Sequence, residues 1–387
     1  MISISQDLLH NALKSVTRAS TKNSLVALTL VRLDADSIGE VRLSCFNGES
    51  AAQARLPADC NETLSMHVDA QILHAVVETL AGEVRLSVED NTLVLQCGAN
   101  RTTLRQVEEE LPLIGEQESP PAATLSGSLL RSLMRVLPFA STDCSRTVLQ
   151  VLHLCLESDR ATALAADGYS AGRVRETIEG PQQSITACLP LGFARLLASL
   201  VEERDLVQIY PLDEARFHCR VSNPQGDKNL TLATLAVSGA FPSEQIEALV
   251  ETARQNERAR LLVSQSSLMQ SIRMVQAMGT QNTYLKISAG VARIASAETE
   301  TGRARNLLEG SAEGQSASAW LSAAYLKRFA EAVKGGTSLR LGMPQQPILA
   351  EAGSFTVLIM PLLLEGAKDP FPEEEALAIQ LPEMSAA

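Results

Sequence analysis

Lys14 and Arg18 stand four residues apart, and so do Arg131 and Arg135. That spacing stacks each pair on one face of a helix, where ammonium and guanidinium groups can meet phosphates. The other side chains able to do chemistry do not converge. Seven cysteines (Cys45, Cys60, Cys97, Cys144, Cys155, Cys188, Cys219) are scattered without a Cys-x-x-Cys pair. Most lie in apolar stretches, where a free thiol acts as a small hydrophobe. His153 and Cys155 share a strand face and His218 adjoins Cys219, but a metal site needs three or four ligands. The pattern implies reduced structural thiols, no metal and no cofactor. No phosphate-binding Gly-x-x-x-x-Gly-Lys loop, Gly-x-Gly-x-x-Gly, His-Glu-x-x-His or Gly-x-Ser-x-Gly occurs. The five histidines are dispersed and Trp320 reads as a core residue, so an enzyme is not expected.

The elements that must position the basic pairs recur. A short strand, a polar step and an amphipathic helix open at Ile2, Ala123 and Arg260, with Leu8-Leu9, Leu129-Leu130 and Leu268-Met269 at matching places. A second helix followed by an alternating strand also occurs three times, ending at Val84–Val88, Val207–Tyr210 and Leu339–Leu341. The repeat is about 120 residues long, and the expected fold is α+β, two helices per repeat packed on antiparallel sheet. Expected domains are 1–119, 120–250 and 251–366, followed by an acidic, disordered tail at 367–387. The proline-containing segment 113–122 and the polar, helix-like Glu244–Arg258 serve as linkers.

Charge separates by element. Helices expected at 7–20, 69–80, 128–140, 190–201, 266–278 and 322–334 carry nine bases (Lys14, Arg18, Arg131, Arg135, Arg195, Arg273, Lys327, Arg328, Lys334) against four acids. That is a surplus of five; with the whole chain at −12, the remainder carries −17. An arc with the helices inside would have a basic lining and an acidic exterior, suited to sequence-independent phosphate contact. The alternative is a set of ordinary solvated helix faces. No apolar run is long enough to span a bilayer, and the N-terminus reads as a strand rather than a leader, so a cytoplasmic protein is expected.

The stretch from Pro138 to Gly172, the Phe241-Pro242 pair and the ending Met360-Pro361-Leu362-Leu363-Leu364 resemble the bacterial DNA polymerase III beta subunit, the sliding clamp, over residues 1 to 364. The resemblance implies three clamp domains forming half of a closed ring, a head-to-tail homodimer around double-stranded DNA. It implies a non-catalytic processivity factor, associated with the bacterial nucleoid and filed with DNA-directed DNA polymerase activity. It places a DNA-contacting base at Lys22, where a solvated loop lysine is the alternative, and dimer contacts at Ala277 and Met278, where ordinary core is the alternative. It also implies a pocket for peptides of the polymerase III alpha subunit, the clamp loader, repair polymerases and other clamp-motif proteins. That pocket would comprise Leu149, Ala166, Gly168, Tyr169, Ser170, Ala171, Pro242, Ile246, Leu358, Met360, Pro361 and Leu362. The chain departs from the family where Thr-Asp-Gly-x-Arg-Leu becomes Ala166-Asp167-Gly168-Tyr169-Ser170-Ala171, which removes a cation and widens the pocket. Ser243-Glu244 replaces the usual Asp-Tyr, and Leu25-Val26-Ala27-Leu28 stands where a Leu-Pro pair is common. A clamp-like paralogue or mobile-element scaffold with altered partners is therefore the alternative. Beyond Leu364, Gln380-Leu381-Pro382-Glu383-Met384 resembles the Gln-Leu-x-x-Phe peptides that clamps bind, and could visit the chain's own pocket.

Overall fold

In the computed structural model, the described residues are all except 22–24, 38, 110, 112–118, 213–214, 367 and 372–387. They contain seven α-helices: α1 (Gln6–Val16), α2 (Ala70–Glu78), α3 (Gly127–Leu133), α4 (Leu191–Leu200), α5 (Ser243–Gln255), α6 (Gln265–Ala277) and α7 (Ala323–Ala332). Six correspond to the expected pairs. α1 and α3 stop early and continue as 3₁₀ turns, Thr17–Ala19 and Met134–Phe139. In the second case Pro138 can neither donate a backbone bond nor leave Leu137 comfortable in an α-helix.

Caps fix where several helices begin. The Asp69 carboxylate accepts from the Ile72 N–H at 2.8 Å, and the Ser126 and Ser264 hydroxyls accept from Leu129 and Ser267 at 3.2 Å each. At the start of α1 and α6, Gln6 and Gln265 reach back to the carbonyls of Val77 and Ala330. The second repeat has Gly127 there instead, because a Cβ would fall 1.8 Å from the Glu202 carbonyl oxygen.

The chain divides into two compact units that do not follow the repeats: Met1–Leu164 with Arg175–Phe241, and Ala165–Val174 with Pro242 onward. The expected boundary at 250 falls inside α5. The apolar face of that helix, Ile246, Val250 and Ala253, is buried.

In the first unit an eight-stranded antiparallel sheet runs Ala123–Ser126, Leu206–Ile209, Arg216–Ser222, Asn229–Leu235, Ser50–Pro57, Glu40–Phe46, Leu30–Ala35, Leu64–Asp69. Its first four strands come from the second repeat and its last four from the first. They join where Leu232 pairs with Ala52. A second sheet in this unit runs Asp59–Cys60, Ile2–Ser5, Glu83–Glu89, Thr92–Cys97, Asn100–Arg105.

The second unit contains a join of the same type. Phe355–Ile359 pairs antiparallel with the first five residues of Ser170–Thr177, Leu358 opposite Ala171. From there the order is Ile348–Ala352, Gly336–Leu341, Ala259–Ser264, Gly310–Gly314. A separate four-stranded sheet runs Arg305–Leu308, Val291–Ser296, Asn282–Ser288, Ala317–Ser322. Its inward residues Leu285, Ile287, Ile294 and Leu321 are buried. Trp320 is not core: strand alternation sends it to the other face, half-buried, its ring 5.0 Å from that of Tyr284.

α5 is fixed to the third repeat by ions as well as by apolar packing. Arg254 (2.8 Å) and Arg340 (2.5 Å) share the Glu351 carboxylate, while Arg340 and Arg260 meet Glu257 just past the helix. Burial would raise both carboxyl pKa values, but the guanidinium bonds and charges outweigh it and hold both below their ordinary 4.5. The contribution of a carboxylate lowered on folding is complete above its unfolded pKa and is lost as pH falls through its folded pKa. Thermal stability is therefore expected to drop below pH 4.5 more steeply in wild type than in Glu351→Gln. The variant should lose about 2 kcal/mol at neutral pH in urea unfolding. Parallel pH profiles for the two proteins would remove the network from the account.

Candidate functional site

The basic helix residues fall into two groups. Arg18 donates to the Ser199 carbonyl at 2.6 Å, Arg131 to Val201 at 3.0 Å and Lys228 to Leu200 at 2.6 Å. Three cations from three elements thus gather at the C-terminal end of α4, whose last carbonyls lack partners within the helix. Arg18 and Arg131, expected to face phosphates, are engaged as caps, and both remain exposed. The buried Asp205 carboxylate closes the group by accepting from Lys228 at 2.6 Å and from the Glu202 N–H at 2.7 Å. Arg135 turns back onto Ser132 and lies 3.9 Å from Glu176. A cleft of about 380 Å³ lies beside the α4 end, with Lys14, Arg18, Ser199, Asn223, Lys228 and Asn229 in its lining.

Lys14, Arg195, Arg273 and Lys334 form the second group and are exposed. Lys327 is 3.8 Å from Glu331, one turn on. Arg328 is drawn towards Asp167 (3.3 Å) and lies over the Tyr325 ring, 5.1 Å from its centroid. Lys22 lies outside the described residues. Ala277 is exposed and Met278 half-buried at the end of α6, so neither is ordinary core.

Eleven of the twelve expected pocket residues lie in the second unit. Leu149 belongs to the first, where its 3₁₀ turn Thr147–Leu149 presents its carbonyl to the Ser141 N–H. In the second unit, Leu358 and Leu349 pack against Val250 and Ala253 of α5, and Met360 rests half-buried on that cluster. Ala166, Ser170, Ala171 and Ile246 are buried. Pro242, Met360, Pro361 and Leu362 are half-buried, while Tyr169 is 58% and Leu363 75% exposed. Ile246, expected among the pocket residues, is buried on the inward side of α5.

The turn beside this apolar patch is organised by Asp167, which sequence reading had passed over as a turn residue. Its carboxylate accepts from the N–H groups of Tyr169 (2.9 Å) and Ser170 (2.8 Å) and from the Ser170 hydroxyl (3.1 Å). Gly168 has φ +93°, the left-handed conformation such a turn requires. The Tyr325 hydroxyl and Arg328 also meet this carboxylate; burial, then the charge of Asp167, pushes the Tyr325 pKa up to about 12. The Met360 N–H donates to the Tyr169 carbonyl at 2.9 Å, tying the apolar end of the last strand to the turn. Arg173, buried, bonds Glu247 of α5 at 2.7 Å and Thr356 at 3.2 Å. A firm polar rim beside a half-open apolar surface suits a short extended peptide with a few apolar anchors.

Burial raises the thiol pKa values of Cys45 and Cys219, the latter to about 12, and all seven thiols are unpaired. His153 stacks on Phe241 at 5.0 Å. Among the described residues no three His, Cys, Asp or Glu side chains gather as metal ligands, and no helix is long and apolar enough to cross a membrane.

Repeated strand–helix modules joined edge to edge, with a peptide-sized apolar patch beside one joint, define a clamp-type architecture. More particularly, the chain has the fold of the bacterial DNA polymerase sliding clamps. It superposes on the sliding clamp of Bacillus subtilis with a TM-score of 0.84 at 16% identity, covering 94% of this chain and 99% of that one. For the beta subunit of Streptococcus pyogenes DNA polymerase the TM-score is also 0.84, at 19% identity and 94% and 100% coverage. In sequence it is similar to the beta sliding clamp of Micrococcus luteus, 22% identical over 284 residues, which are 70% of this chain and 90% of the relative. No family model matches the chain.

Proposed function

We propose that the chain is a DNA sliding clamp: a non-catalytic ring, closed by two copies, that encircles duplex DNA and tethers the replicative polymerase through the apolar patch at Met360. The observation that carries this reading is the state of the sheet edges. Asn229–Leu235 and Phe355–Ile359 end their half-sheets and each is paired with a strand of the neighbouring repeat. The corresponding last strand of the first repeat, Asn100–Arg105, pairs only with Thr92–Cys97 among the described residues. The strand of the third repeat that corresponds to Ser50–Pro57 is Arg305–Leu308, and among the described residues it pairs only with Val291–Ser296.

Among the described residues each chain thus offers one edge strand of each kind without a second partner strand, and such edges are ready templates for strand pairing. Joining the first repeat of one copy to the third of another is a heterologous contact, and such a contact closes a ring when the rotation is right. Ala277 and Met278 end the helix that packs beside the Arg305–Leu308 edge, where Asn306 donates to Ser271 at 2.7 Å. Lys14, Arg195, Arg273 and Lys334 are the bases left for the DNA phosphates, with Arg18, Arg131, Arg135, Lys327 and Arg328 adding field from engaged positions. The DNA contact is sequence-independent and salt-sensitive.

Native mass and retention on nicked circular DNA test this reading. A dimer that stays on circles once loaded and runs off when they are cut supports it. A monomer, or binding indifferent to ends, overturns it and leaves a clamp-like scaffold.

A further inference from the structure

The outer face of the four-stranded sheet in the third repeat is unusual for a solvent face. Strand register places Tyr284 opposite Trp320 and Lys286 opposite Arg293 on one side and Ser318 on the other. Two cations directly opposite each other on adjacent strands repel, and two large aromatic rings beside them offer apolar surface. An isolated sheet would not favour that combination. It suits an occupant with a carboxylate for Lys286 and an apolar group for the rings.

The chain supplies the carboxylate. Lys286 Nζ bonds the Asp369 carboxylate at 2.5 Å and the Phe371 carbonyl at 2.9 Å, and only 13% of its side chain remains exposed. The Tyr284 hydroxyl joins Asp369 and Ser318. Asp369 also accepts the Phe371 N–H at 2.7 Å, which curls the segment, and Pro370 is buried. A lysine this covered is costly without its counter-charge. Residues 369–371 are therefore held, although composition placed them in a disordered tail.

We propose that Tyr284, Lys286, Arg293, Ser318 and Trp320 form a docking site for an acidic Asp-Pro-aromatic peptide segment, filled in cis by Asp369-Pro370-Phe371. The Leu362 N–H donates to the Trp320 carbonyl at 2.8 Å, so the site adjoins the apolar patch. A short tether gives a cis segment an effective concentration of the order of millimolar, so the site is open to a peptide in trans only when the tail is removed.

Trp320 is the only tryptophan, so its emission reports the site directly. In the full chain, Asp369→Ala with Phe371→Ala is expected to shift Trp320 emission to the red and raise acrylamide quenching about twofold, with melting otherwise cooperative. A chain ending at Leu364 is expected to bind a synthetic peptide of residues 367–375 saturably, with the protection of Trp320 from acrylamide restored, and Lys286→Ala is expected to abolish this. Unchanged Trp320 quenching in the double variant, or no saturable response to the peptide, overturns the site.

Discussion

Replacing Leu307 and Met278 together by aspartate is expected to convert the dimer to a monomer of 41.5 kDa and abolish retention on circular DNA. Leu307 is 49% exposed on the edge strand Arg305–Leu308, and Met278 is half-buried at the end of the helix packed beside that edge. Neither position is a fully buried core site, so the fold of the single chain should survive with unchanged Trp320 emission. In a closed interface both carboxylates would be desolvated without a partner. A loss of about 3 kcal/mol, roughly a hundredfold in dimer affinity, is the minimum expected. Sedimentation over a concentration series measures it; a dimer of wild-type affinity would place ring closure elsewhere.

The second large effect is expected at Asp167. Its carboxylate serves the N–H groups of Tyr169 and Ser170, the Ser170 hydroxyl, Tyr325 and Arg328 at once. Asp167→Ala leaves a buried serine, a largely covered phenol and a guanidinium without their acceptor, a cost of about 2–3 kcal/mol. The turn carries Tyr169, whose carbonyl holds Met360, so affinity for a clamp-motif peptide should fall at least about tenfold. Asp167→Asn keeps an acceptor for the backbone N–H groups but loses the charge that faces Arg328, and should fall in between. Urea unfolding and peptide titration read the two effects separately. Intact peptide affinity in a destabilised Asp167→Ala protein would remove the turn from the binding surface while leaving its structural role.

The engaged arginines change how charge sorting should be read. Net charge of −12 with bases concentrated in helices pointed to a phosphate-facing surface. Part of that surplus has a nearer cause, since Arg18 and Arg131 satisfy carbonyls at the end of α4. Capping and phosphate contact are compatible for a fork with five donors, because one or two bonds leave others outward.

The amino-acid sequence by itself determined the periodic part of this protein. Apolar spacing at 3.6 and 2.0 placed six helices and the strands that precede or follow them, and repetition of the pattern made the α+β architecture legible, because local burial patterns need no knowledge of partners. Met360, singled out through the family resemblance, rests on Val250 and Leu358. Whatever depended on which element lies beside which was decided only in three dimensions. Trp320 read as core because its composition is apolar, whereas strand register put it on the outer face beside Tyr284. Ile246 read as an anchor, whereas helix phase turned it inward. Asp369-Pro370-Phe371 read as part of an acidic tail, and a lysine 83 residues away in sequence holds it. Arg328 read as a phosphate contact, and Asp167, 161 residues away, drew it to the turn. Hydrophobic periodicity is written locally, but a charge goes to its nearest counter-charge, and only the tertiary fold sets that distance.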